Sequence, residues 1–282
     1  MASIVEVVTE HRWGRVLSLL ESSVVIAGGL VLLNRAGLLP EIPGGYSATA
    51  TTLLGGVILG IGAFCNRSCA IGTIARIGSG QWAYLATPVG YFIGSLAMSH
   101  LAPPMRLDVG SAPLTASWIT ILLAVVVALR LLTHGWRIWK TGSGPLAYIW
   151  SPHVATTIAA LAFLTVFLTV GSWTYTTELG ALARGQSLDA QRQLLLFGAL
   201  LTGAVAGGWT VGLRPRMPRA PRVLRCLLGG ALMGVGAALI PGGTDGLVLV
   251  GMPLLYPYAW LAFSTMCITI YLAVRLSVPK AS

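Results

Sequence analysis

Long apolar runs alternate with short polar loops along the whole chain, and the runs approach the ~20 residues that cross ~30 Å of hydrocarbon at 1.5 Å per residue. Eight such stretches are legible: about Val16 to Leu33, Thr49 to Arg76, Trp82 to Ser99, Trp118 to Leu132, Val154 to Ser172, Leu194 to Val211, Leu227 to Met252 and Tyr258 to Val274. The second and seventh are interrupted by polar residues. In the second, GIGAFCNRSCAIGTIARIGSGQW (Gly60 to Trp82) sets Cys65, Asn66, Arg67, Ser68 and Cys69 where a helix should be passing through lipid.

The two interrupted stretches resemble each other. LLGGVILGIGAFCNRSCAIG (Leu53 to Gly72) aligns without gaps with LLGGALMGVGAALIPGGTDG (Leu227 to Gly246). The same offset carries span one onto span six and span three onto span eight. A three-span unit is thus repeated, at about 16–99 and 194–276, with a connector at about 100–190. With every element crossing, the copies have opposite orientation, the inverted repeat of transporters and channels. In each copy a short helix of about twelve residues, rising ~18 Å, reaches roughly mid-bilayer, so the two breaks are expected to meet near the midplane.

Composition agrees. The chain has 282 residues, 55% hydrophobic and 9% charged, with mean hydropathy +0.81, against roughly a quarter charged in a soluble domain. The expected architecture is an all-α polytopic membrane protein of about eight spans, one transmembrane domain over 1–282. The net charge of +10 does not point to nucleic acid, because the basic residues neither alternate with aromatics nor form one arm. They follow the positive-inside rule instead: His11, Arg12 and Arg15 precede span one, Arg137 and Lys140 follow span four, Arg214, Arg216, Arg219, Arg222 and Arg225 follow span six, and Arg275 and Lys280 close the chain. Both termini are then cytoplasmic. A re-entrant hairpin in the second stretch would put Arg137 and Lys140 outside, so each break is read as a broken helix that continues across. No cleavable signal peptide is expected, and span one is expected to stay. Four cysteines in a bilayer give no disulfide framework.

Irregular backbone exposed to lipid costs several kcal/mol per unsatisfied group, so such breaks are buried or line an aqueous path. The glycines at 55, 56, 60, 62, 229, 230, 234 and 236 read as close helix packing. After each break a second helix begins, near Cys69 and near Gly246, and its free N–H groups favour an anion. Arg67 adds a positive charge inside the membrane, functional by default or else paired with Asp245. Asp245 reads as an N-cap or as a proton carrier. Ser68 reads as an N-cap, Asn66 as a partner for broken backbone, and Arg76 as an interfacial anchor. Cys65 and Cys69 are soft, polarisable groups suited to sulfur or soft metals, and a helix N-terminus beside an arginine raises thiol reactivity. Cys226 and Cys267 read as packing. His11, His100, His134 and His153 fall at span ends, against a His-based metal site or catalysis, although a Cys-only copper site stays open; no cofactor is expected.

The residues resemble the YeeE/YedE family of sulfur-transport membrane proteins. The resemblance rests on the glycine-rich approach to Cys69 and Gly72, on ARIGSGQWAYLATPVGYFIG, and on GGALMGVGAALIPGG in the second copy. It implies uptake of thiosulfate or a related sulfur compound through an hourglass-shaped inverted repeat, with central cysteines contacting the substrate sulfur, often beside a cytoplasmic TusA-like sulfurtransferase. Cys69 matches the family's first-repeat cysteine. In the second repeat the family commonly has Gly-Gly-Cys-Thr, whereas this chain has Gly242, Gly243 and Thr244, so Gly243 stands in the cysteine's place. Cys65 lies four residues before Cys69, on the same face if helical, and is read as a replacement thiol.

The expected function is a bacterial inner-membrane permease, not an enzyme, passing a small sulfur-containing anion. Cys69 and Cys65 would contact sulfur, Arg67 with Asn66, Ser68 and the helix N-termini would take the charge, and Gly243, Thr244 and Asp245 would form the opposite wall. The alternative is a membrane-embedded relay in which Cys69 becomes a persulfide stripped by a cytoplasmic acceptor. A passive channel for neutral solutes conflicts with Arg67.

Overall fold

The computed structural model describes residues 14–39, 42–100, 106–107, 125–126, 128–129, 132–133, 136, 152–186, 189–210, 212–240 and 242–277. Most of the span expected at Trp118 to Leu132, and the loop carrying Arg137 and Lys140, lie outside them. In chain order the elements are α1 (Gly14–Arg35), β1 (Gly45–Tyr46), α2 (Ala50–Asn66), α3 (Ala70–Gly78), a 3-10 turn (Trp82–Leu85), α4 (Ala86–Ala97), β2 (Arg106–Leu107), α5 (Pro152–Val170), α6 (Tyr175–Ala183), α7 (Ala190–Thr210), α8 (Ala220–Leu239), α9 (Thr244–Gly246) continued by a π turn (Leu247–Gly251), and α10 (Pro257–Ser277). The two short strands pair antiparallel, Gly45 with Leu107 and Tyr46 with Arg106.

Six segments among the described residues are long and apolar enough to cross a membrane: Val16–Arg35, Ala50–Gly78, His153–Val170, Gln191–Thr210, Ala220–Leu239 and Pro257–Ser277. The stretch expected as span three is the 3-10 turn plus a helix of 12 residues. That helix rises only ~18 Å.

The glycine-rich stretches are contact surfaces. A Cβ on Gly62 would lie 2.7 Å from the Met233 nitrogen, one on Gly229 2.6 Å from the Asn66 nitrogen, and one on Gly55 2.8 Å from the Gly236 carbonyl. Residue 55 thus faces 236, and 62–66 face 229–233, so α2 and α8 run antiparallel at backbone contact. On the other side of α8, Gly90 and Gly94 of α4 face the carbonyls of Leu227 and Ala231, while Gly230 and Gly234 face those of Thr87 and Tyr91. Gly56 and Gly60 leave room for Thr265 and Thr269 of α10, at 3.0 and 2.8 Å. Only glycine permits this approach. Gly94→Val should therefore push α4 off α8 and lower stability by about 1–3 kcal/mol, read as an earlier melt in detergent.

Those contacts also orient the broken segments. The start of α2 lies beside the end of α8, whereas Gly80, just past α3, accepts a hydrogen bond from the Arg216 N–H at 2.9 Å, before α8 begins. Ala50 to Gly80 therefore runs the full length of α8 and does not turn back. The second segment does likewise: Gly251 packs against Ala259, at the start of α10, and the Tyr256 hydroxyl donates to the Pro43 carbonyl at 2.9 Å, ahead of α2.

The apolar core, with Ile26, Leu59, Met233, Ile240, Leu247 and Ile270 all buried, surrounds the breaks. Buried Glu21 of α1 meets His153 Nδ1 of α5 at 2.7 Å. His153 stands at a span end as its place in the sequence implied; its partner was not foreseen.

Candidate functional site

The first break is a turn closed by its own backbone and by Asn66. Arg67 adopts a left-handed conformation (φ 59) as the C-cap of α2. Its N–H donates to the Phe64 carbonyl (3.0 Å) and that of Ser68 to Ala63 (3.1 Å). A non-glycine residue at positive φ is costly and persists only where the surroundings fix it. Here the buried Asn66 amide supplies the fixing: Nδ2 donates to the Ser68 carbonyl (3.0 Å) and to Thr73 Oγ1 (3.2 Å), while Oδ1 accepts from Thr87 Oγ1 (3.0 Å). Asn66 thus serves the broken backbone, as its type suggested.

The N-cap of α3 is Cys69, where Ser68 had been expected, and no side-chain hydrogen bond caps that end. Ser68 is buried beneath it, its Oγ 2.7 Å from where a Cβ on Gly72 would stand, with Cys69 Sγ 3.6 Å from the same point. Any larger residue at 72 would press on Ser68. Cys69 is partly exposed and Arg67 exposed. Cys65 lies in the last turn of α2, on the far side of the break, so the helical i, i+4 relation to Cys69 does not hold: the turn at residues 67–69 resets the helix phase. Cys267, expected as packing, packs with Cys69 against the same apolar core.

The second break follows Leu239. Gly242 has φ +128, and Gly243 caps α9. Ser23 Oγ of α1 donates to the Val248 carbonyl at 2.7 Å, supporting the π turn. Asp245 is buried in the first turn of α9, two residues past the N-cap Gly243, and so is not the N-cap it was expected to be. Its partner is Thr176 and not Arg67: Oδ2 accepts from the Thr176 N–H at 3.2 Å, and Oδ1 accepts from Thr176 Oγ1. Thr244 Oγ1 reaches Met266 sulfur at 3.6 Å.

The two breaks come together, with α9 touching α3. What ties them is a segment that sequence reasoning passed over, Thr174 to Thr177 at the start of α6. The Tyr175 hydroxyl donates to the Ala70 carbonyl of the first break at 2.8 Å, while Thr176 binds Asp245 of the second. Thr174 Oγ1 donates to Thr177 Oγ1 at 2.8 Å, beside Gly246. The one signal was the polar run TYTT directly after an apolar span. A cavity of about 890 Å³ extends from Asp245, Tyr175 and Ile71 along α3, α5 and α7 to Gln81, Arg214 and Arg216. Of the residues singled out from sequence as the site, Asp245 lines it.

A family model described as sulphur transport matches residues 1–272. The chain belongs to the sulphur-transport family. The resemblance to YeeE/YedE proteins is thereby shown, and this sulphur transporter is a multi-pass membrane protein. Over 273 aligned residues it is 27% identical to the thiosulfate transporter TsuA of Spirochaeta thermophila, covering 82% of this chain and 78% of that protein. Both descriptions are of transport, and neither favours a persulfide relay.

Proposed function

We propose that this sulphur transporter is a permease for a small sulfur-containing anion, thiosulfate first among them, and that the substrate passes between the two breaks. The observation that carries the proposal is Cys69 at the N-terminus of α3: a soft thiol and uncapped helix N–H groups at one point, where α3 meets α9. Thiosulfate has both a soft terminal sulfur and a negative charge, so the thiol takes the sulfur and the helix end the charge. A hard oxyanion of the same charge gains only the second contact. Each contact is weak, which suits a site that must release what it admits.

In this account Arg67 and Cys65 flank the passage, Gly243, Thr244 and Asp245 form its opposite side, and Asn66 and Ser68 hold the turn. The wide cavity is the vestibule on the side of Arg214 and Arg216, whose charge gathers anions. The two broken segments are inverted repeats in an hourglass of about eight spans, with a cytoplasmic vestibule and both termini cytoplasmic in a bacterial inner membrane. A TusA-like sulfurtransferase is the expected acceptor of the sulfur delivered there.

Growth tests this. A bacterium stripped of its own sulfate and thiosulfate permeases, with thiosulfate as sole sulfur source, should grow when it carries this protein. Starvation despite protein in the membrane would remove thiosulfate as the substrate.

A further inference from the structure

Gly243 stands where a thiol would complete a symmetric pair with Cys69, and the structure offers a reason why no side chain is there. A Cβ at 243 would lie 2.5 Å from Thr176 Oγ1, 2.8 Å from its Cβ and 3.0 Å from its Cγ2. Real Cβ atoms do not approach other atoms so closely, and Thr176 is fully buried at the start of α6. The space is filled by a threonine from the connector.

That threonine also holds an acidic side chain. Its N–H and its hydroxyl bind the two oxygens of Asp245, itself buried at the inner end of the cavity. A carboxylate beside an anion's route repels that anion, and more so where water is scarce. With both oxygens bound, the carboxyl group is held against the N-terminus of α6, which favours negative charge there.

We propose that Thr176 is a positioning residue for the transport path: it replaces a side chain at 243 and, by fixing Asp245, sets the barrier that an anion meets opposite Cys69. The proposal rests on the permease reading above and adds to it a residue from outside the two repeated stretches. Specificity then has two parts, a thiol that attracts soft sulfur and a restrained carboxylate that penalises anions of higher charge density.

The test separates position from mere structure. Thr176→Val keeps the shape over Gly243 and removes the hydroxyl's bond, so thiosulfate uptake into proteoliposomes should fall roughly tenfold, the scale of a lost hydrogen bond to a charged group. Thr176→Ser should stay near wild type. Adding Asp245→Asn to Thr176→Val should recover most of the lost uptake, because no charge is left to restrain. If Thr176→Val transports like wild type, or if Asp245→Asn worsens it, the positioning role is wrong.

A melting series decides the packing claim without any substrate. Gly243→Ala should lower the melting temperature, and Thr176→Ala in the same chain should lose less than the sum of the two single changes. Strict additivity would overturn the packing claim. Should the wild type take up no thiosulfate, the permease reading fails on that arm, while the melting series still decides whether Thr176 fills the place of a side chain at 243.

Discussion

Replacing Cys69 with serine should bring thiosulfate uptake down to that of empty vesicles, a loss of roughly two orders of magnitude or about 2.7 kcal/mol at the barrier, while leaving the fold intact. The exchange is nearly isosteric, and serine is a better N-cap than cysteine. Cys69 caps α3 without a side-chain hydrogen bond, so a serine there would bind the N–H groups of the first turn and add about 0.5–2 kcal/mol to the helix. The variant loses function twice, through the missing soft sulfur and through the closing of the N–H groups that would meet the anion. A melting temperature equal to or above wild type, together with abolished uptake, is the combined expectation. Reduced uptake with reduced stability would instead mark Cys69 as a packing residue.

The second large effect is on folding. Asn66→Leu should destabilise the protein by about 3–5 kcal/mol, the range for breaking a buried polar network in which each unsatisfied group costs about 1–3 kcal/mol. Asn66 is buried and makes three hydrogen bonds, to the Ser68 carbonyl, Thr73 and Thr87. Those bonds tie the break to both α3 and α4 and hold Arg67 at φ 59. Without them the Ser68 carbonyl loses its amide partner at the core of the protein. The expected readout is a sharply lower melting temperature in detergent, or failure to accumulate in the membrane. Thr87→Val removes one of the three bonds and should cost about 1–3 kcal/mol. Equal melting of Asn66→Leu and wild type would mean that the turn is held by its backbone alone.

The helices were legible because a bilayer leaves few choices: runs of about twenty apolar residues must span it, and five of the six long helices follow such runs closely. The two breaks were legible for the complementary reason, Asn66, Arg67 and Ser68 inside one apolar run and the Pro-Gly-Gly-Thr-Asp sequence up to Asp245 inside the other. Glycine spacing marked the faces of α2 and α8 that touch. What could not be read was the phase of the chain across a break. Cys65 and Cys69 look like one helical face until Arg67 turns left-handed between them. The cap of α3 likewise moved from Ser68 to Cys69, because the turn, not the capping preference, sets where the helix restarts.

Thr176 escaped notice for another reason. It belongs to the connector and contributes through a long-range contact with Gly243 and Asp245, which no local pattern encodes. A threonine in an apolar setting has many ordinary uses, so its type carries little information. The Arg67–Asp245 pair was a fair expectation from charge alone, since two opposite charges in a membrane usually find each other. The fold gives Asp245 a nearer partner in Thr176 and leaves Arg67 exposed at the C-cap of α2.

The central claim, passage of a soft sulfur anion between the two breaks, is tested most directly by uptake of sulfur-labelled thiosulfate into proteoliposomes holding the wild-type protein, with unlabelled thiosulfate and unlabelled sulfate as competitors. The account predicts uptake above empty vesicles that excess thiosulfate suppresses and excess sulfate does not. Uptake suppressed equally by both would contradict a role for the thiol in selection, and no uptake by folded protein would contradict the claim itself.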